Sequence, residues 1–161
     1  MLFRSHGGAS NSGRLKIRVP HRTALWIRCV NCGEVSVSGV SADMDIDVVN
    51  GAIRLIETGG SVVAHSLNGK VTAVLDGLGS KPSSFSSLNG SIDLTLPPDT
   101  KANVRLRSEH GKVQTEFELR LQGALRTDRG FVGTINGGGP EIQARTFNGS
   151  IYLRKKTPSV P

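Results

Sequence analysis

Helical periodicity is what this sequence most plainly lacks. No window places apolar residues at i, i+3, i+4 and i+7 for three turns, and Gly, Pro, Asn or Ser interrupts nearly every candidate. Helical bundles and alternating helix–strand folds are thereby excluded. Aromatics are scarce: one Trp, one Tyr and five Phe in 161 residues leave few stacking platforms for nucleic acid. Two cysteines cannot build a disulfide framework or supply the four ligands of a structural zinc site. No run approaches the roughly 20 apolar residues of a membrane-spanning helix. The opening MLFRSHGGASNSG is basic but has no apolar stretch of the secretory kind, so the chain reads as cytosolic or as a mature segment.

Glycine is plentiful, with 20 residues, and it is spaced. Asn-Gly or His-Gly beside alternating apolar residues recurs in VNGAIRL (Val49–Leu55), LNGKVTA (Leu67–Ala73), LNGSIDL (Leu88–Leu94), EHGKVQT (Glu109–Thr115) and FNGSIYL (Phe147–Leu153). Taken singly, an Asn-Gly of this kind signals a β-hairpin. Marking Gly33, Gly51, Gly69, Gly90, Gly111, Gly130 and Gly149 gives intervals of 18, 18, 21, 21, 19 and 19 residues. Two residues after each marker stand Val35, Ile53, Val71, Ile92, Val113, Val132 and Ile151, all β-branched and apolar. Four after it come Val37, Leu55, Ala73, Leu94, Thr115, Thr134 and Leu153, with mostly polar residues between, which is the period of a half-buried strand. A second strand precedes the marker, with Met44 and Ile46, Val62 and Ala64, Val104 and Leu106, and Ile142 and Ala144 at matching offsets. Asn50, Asn68, Asn89, His110 and Asn148 directly precede their glycines and mark sharp corners.

Independent hairpins have no reason to share one spacing and one set of inward columns, whereas stacked coils do. The pattern predicts an all-β, single-domain β-solenoid over residues 13–156. It has about seven coils averaging about 19 residues, with a flexible segment over 1–12 and a tail over 157–161. Handedness is not encoded, and the alternative is an antiparallel β-sandwich or barrel. Longer repeats leave room for short loops in GLGSKPSSFSSL (Gly77–Leu88), where Ser83 takes an inward position, and in LPPDTKA (Leu96–Ala102).

Net charge is +7, unevenly placed. Residues 1–28 hold six Lys/Arg and no acid, 29–100 hold three against eight Asp/Glu, and 101–161 hold eleven against five. An acidic middle between basic ends suits contact with anionic surfaces as well as ordinary solubility.

GRLKIRVP (Gly13–Pro20), NGSIDLTLPPDTKANVRLRSEHGKV (Asn89–Val113) and GTINGGGPEIQARTFNGSIYLRKK (Gly133–Lys156) carry a family resemblance. The chain resembles the bacterial adhesin-type family of repetitive, β-solenoid-like domains of unknown function, over roughly residues 13–156. Its most specific parts are the Leu-Pro after a Gly-x-Ile-x-Leu strand and the Gly-Gly-Gly-Pro before the last strand pair. That family commonly has Asp after the marker glycine, whereas Glu34, Ala52, Lys70, Ser91, Lys112 and Ser150 stand here. The resemblance implies a repetitive β fold and a place at the cell envelope or outside the cell.

Candidate chemistry is sparse. CVNC (Cys29–Cys32) has no second cysteine pair, and His6, His21, His65 and His110 are scattered. It reads as two ordinary small residues, with Cys32 at the corner position held elsewhere by Asn. A local disulfide or shared metal is the alternative. DMDIDVV puts Asp43, Asp45 and Asp47 on one strand face, better read as an acidic solvent face than as a calcium loop. No ladder of carboxylates continues into the next coils, as a polysaccharide-active solenoid would need. Arg105, Arg107, Lys112 and Arg145 are candidates for a shared outer face that meets a polyanion.

The sequence therefore leads to a non-enzymatic structural or binding module without cofactor. Its site residues are the structural corners Gly33, Gly51, Gly69, Gly90, Gly111, Gly130, Gly149, Asn50, Asn68, Asn89 and Asn148, together with the four basic residues. The partners expected are an anionic envelope polymer or another protein, with nucleic acid disfavoured. Self-association into an end-to-end scaffold is the alternative, and a polysaccharide-active enzyme ranks last.

Overall fold

The computed structural model describes residues 2–5, 14–17, 24–77, 81–117, 120–121 and 130–156. Fourteen strands fill them: β1 (Leu2–Ser5), β2 (Arg14–Ile17), β3 (Leu25–Ser38), β4 (Met44–Thr58), β5 (Val62–Asn68), β6 (Val71–Leu75), β7 (Ser83–Asn89), β8 (Ile92–Leu96), β9 (Ala102–Ser108), β10 (Val113–Thr115), β11 (Arg120–Leu121), β12 (Gly130–Ile135), β13 (Glu141–Asn148) and β14 (Ile151–Lys155). Among the described residues there is no helix.

From β3 onward, each coil is a strand, a corner and a second strand. The first strands pair in parallel as one arm, in the order β1, β3, β4, β5, β7, β13, β9, where β3 and β4 contribute the halves before their corners. The second strands form the other arm, in the order β2, β3, β4, β6, β8, β14, β10. Seven layers with a strand in both arms result, and the solenoid expected from the repeat is present.

Alternation dictates which side is buried. In β4, Met44, Ile46 and Val48 are buried while Asp45 is exposed and Asp47 half-buried; past the corner, Ile53 and Leu55 are buried and Arg54 is exposed. Columns equivalent to these stack through both arms to make one core. Phe85, wholly buried, sits in register between Ala64 on one side and Ala144 on the other. A large side chain flanked by two small ones fills the row without overpacking it. Ser83 is buried, and its hydroxyl accepts a hydrogen bond from the Val62 amide at 3.2 Å.

Several expectations need correction, and the stacking order is one that the repeat does not specify. The coils do not stack in chain order, because β13–β14 is inserted between β7–β8 and β9–β10. Gly130 is not a corner: it starts β12, which runs antiparallel along β9 and pairs with β11 beyond. The buried residues of β12 are Gly133 and Ile135, opposite Val104 and Ala102, so the inward positions are one residue out from the predicted Val132 and Thr134. Cys32 does not hold the asparagine position either. β3 bulges between Asn31 and Glu34, and Asn31 is the residue in register with Asn50. Cys29 is disulfide-bonded, so the reading of CVNC as two ordinary small residues gives way to the disulfide that was its alternative.

The N-terminal segment 1–12 contains β1, in parallel register with Leu25–Cys29 of β3 from Leu2↔Trp26 to Ser5↔Cys29. The tail over 157–161 lies outside the described residues.

Candidate interaction face

The corners are the first sites to place, because they aim everything else. At Gly69, Gly90, Gly149 and Gly111 a Cβ would fall on the carbonyl oxygen of the neighbouring coil's corner glycine: Gly51, Gly69, Gly90 and Gly149 respectively. Only a hydrogen side chain lets these backbones approach so closely. Inside each corner a buried hydroxyl donates to the same carbonyl: Ser66 to Gly51 (3.2 Å), Ser87 to Gly69 (3.1 Å), Thr146 to Gly90 (2.9 Å) and Ser108 to Gly149 (2.7 Å). Outside it runs an asparagine ladder. The amide of Asn50 donates to Asn31, Asn68 to Asn50 and Asn89 to Asn68, each at 2.8 Å, and Asn148 donates to Asn89 at 2.9 Å. All four predicted asparagines are in this ladder, and Asn31 adds a fifth. Gly33 lies in the β3 bulge instead. The hydroxyl column was legible as Ser/Thr three residues before Gly69, Gly90, Gly111 and Gly149, but a serine in an alternating strand is read as outward until its partner is known.

With the corners placed, the outward residues of the first arm fall into three rows along the solenoid axis. The row farthest from the corners is Trp26, Asp45, Val63, Ser84, Gln143 and Arg105. The middle row is Arg28, Asp47, His65, Ser86, Arg145 and Arg107. The row beside the asparagine ladder is Val30, Val49, Leu67, Leu88 and Phe147, one residue before each asparagine. His110 extends it, its ring edge-on to Phe147 with centroids 4.8 Å apart.

Every large apolar side chain that is well exposed among the described residues lies on this face: Trp26 (62%), Val30 (47%), Val63 (43%), Leu88 (40%) and Phe147 (45%). Scattered singly they would need no explanation, but three of the five belong to one row. At its Trp26 end the face opens into a cleft of about 310 Å³ whose lining includes Trp26, Asp43, Asp45, Val63, Lys81 and Pro82.

Charge gathers towards the two ends of the same face. Asp45 and Asp47 stand on β4, with Arg28 at 3.5 Å from Asp47. At the other end Arg105 and Arg107 on β9 lie beside Gln143 and Arg145 on β13. Three of the four predicted basic residues are therefore brought together. Lys112 stands past the corner, where its backbone amide donates to Ser150 at 3.4 Å. Glu109 takes Arg107 at 2.8 Å and reaches Arg145 at 4.0 Å, so the basic end is only partly neutralised. Asp43 is bound by Lys81 at 2.7 Å; that hydrogen bond, aided by the ammonium charge, holds the Asp43 carboxyl below its ordinary range and raises Lys81.

Among the described residues no group of three or more His, Cys, Asp or Glu is placed to hold a metal ion, and no helix is long and apolar enough to cross a membrane. The sequence pattern of Toastrack DUF4097 matches residues 29–154, from within β3 to within β14. No curated protein and no solved structure matches the chain.

Proposed function

The chain belongs to the Toastrack DUF4097 family, and from that premise we propose that it is a non-enzymatic binding module at the bacterial cell envelope, working through the outer face of its first arm. The observation that carries this reading is the gathering of Trp26, Val30, Val63, Leu88 and Phe147 on that one face. Apolar side chains held out into water by a rigid sheet lose little conformational entropy when covered, which favours macromolecular contact. Arg105, Arg107 and Arg145 at one end supply the site for an anionic polymer of the envelope. The envelope location follows from the likeness to adhesin-type repeats.

Co-sedimentation of the purified protein with bacterial sacculi and, separately, with membrane vesicles tests this. Retention should fall for Arg105→Glu with Arg145→Glu and for Leu88→Asp with Phe147→Asp. Thr72→Asp with Thr95→Asp, on the other arm's outer face, should leave it unchanged. No retention of the unaltered protein, or equal retention of all variants, would remove the reading.

A further inference from the structure

We infer that the outer face of the first arm is occupied by a second copy of the chain, packed face to face with its solenoid axis reversed. This rests on the reading of that face as the working surface and names its occupant.

Two twofold arrangements lay this face on itself with the strands of the two copies aligned. With the axis along the solenoid, like coils meet and the outer rows exchange, placing Asp47, Arg145 and Arg107 of the middle row against their own copies. With the axis along the strands, coil order is reversed. Reversed about the middle of the face, β4 lies over β13, so Asp47 approaches Arg145 twice over by symmetry, while β3 lies over β9 and brings Arg28, already paired with Asp47, to Arg107, already paired with Glu109. Like charges pressed together across an interface are costly, and opposite ones set the register, so the charge layout selects the reversed arrangement. The apolar row supports the same choice. Reversal about an axis parallel to the strands keeps each row over itself, so Val30, Val49, Leu67, Leu88 and Phe147 meet their counterparts in opposite order.

The size is adequate. From β1 to β12 the face spans eight strands, seven steps of about 4.8 Å or about 34 Å; six residues of strand add about 20 Å of width. That gives roughly 700 Å² per copy and about 1,400 Å² in total, within the range of specific but not obligate interfaces. The solenoid's end contributes by refusing the alternative. β12 runs antiparallel over β9, so a further copy cannot continue the parallel coil along that strand.

Analytical ultracentrifugation across concentration tests the inference. The unaltered protein should pass from monomer to dimer, with no larger species. Leu88→Asp with Phe147→Asp should weaken association by about a hundredfold or more, the effect of losing central apolar anchors. Asp47→Lys alone should weaken it by about tenfold, and adding Arg145→Glu in the same chain should restore it, because each lysine then faces a glutamate of the other copy. Circular dichroism checks that every variant is folded. A monomer at all concentrations overturns the inference. So does a dimer indifferent to Leu88→Asp with Phe147→Asp, or a charge reversal that the second substitution fails to rescue. A monomer still retained by sacculi through this face would leave the functional reading standing with another occupant. A rescued dimer whose retention ignores the face would do the reverse.

Discussion

The two arms share one core and one set of corners, yet their outer faces differ. The first presents Trp26, Val30, Val63, Leu88 and Phe147 to water. The second presents Ser36, Arg54, Thr72, Asp93, Thr95 and Tyr152, all half-buried except the exposed Arg54, and it satisfies part of itself: Arg154 pairs with Asp93 at 3.4 Å and lies over the Tyr152 ring at 5.6 Å. Short threonines and a closed ion pair leave less for a partner to complete. Exposed aromatics and half-open arginines leave more. The same strand alternation thus produces one surface that finishes more of its own interactions than the other, and the difference lies in the residues the core never constrains.

The comparison can be broken at its root. Gly69→Ala places a methyl group on the Gly51 carbonyl, which cannot withdraw without parting two coils. It should cost about 3 kcal/mol or more and disorder both faces together, read as a drop in urea midpoint. Gly77→Ala, where nothing stands within 4 Å, is the control and should be neutral. Next in size, Asn68→Ala removes two rungs of the ladder between the arms, to Asn50 and from Asn89. About 1–2 kcal/mol is expected for two bonds that water can partly replace.

Smaller effects sharpen the contrast between faces. Arg154→Ala opens the pair on the second arm and should cost about 0.5–1 kcal/mol. Arg105→Ala on the first should change stability by less than about 0.5 kcal/mol while reducing polyanion retention. Smallest is the Asp43–Lys81 pair. The Asp43 value is depressed, so its contribution is present above about pH 3.9 and is lost as pH falls through the lower folded value. The Lys81 value is raised, so its contribution is present below about pH 10.4 and is lost as pH rises through the higher folded value. Both are intact at neutral pH. A carboxyl titration followed by NMR should give Asp43 a midpoint below about 3.9, moving up toward it in Lys81→Ala.

Much of this was legible in the sequence. Val35, Ile53, Val71, Ile92, Val113 and Ile151 are all buried, as their spacing requires, and the asparagines before the glycines do form the corner. The order of the coils was not legible. Ladders of like residues pair equally well with any neighbour, so nothing local tells Gly149 to stack on Gly90 and leave Gly111 outermost. Gly130 misled because Gly-x-Val-x-Thr matches the repeat, while β12's antiparallel pairing with β9 inverts which residues face inward. The bulge at Asn31–Glu34 shifted the asparagine register by one residue and hid the fifth rung. At the candidate face, the arginines could be named from alternation alone. The apolar row required knowing that Leu67, Leu88 and Phe147 precede the corner on its outer side.

The central claim is that one outer face, and not the other, makes contact in solution. Amide NMR spectra recorded on serial dilution test it residue by residue. Concentration-dependent shifts confined to Trp26, Val30, Leu67, Leu88, Phe147 and their charged neighbours Asp47 and Arg145 are predicted, with Arg54, Thr72 and Thr95 unmoved. Spectra that do not change with concentration, or shifts centred on the second arm, would contradict it.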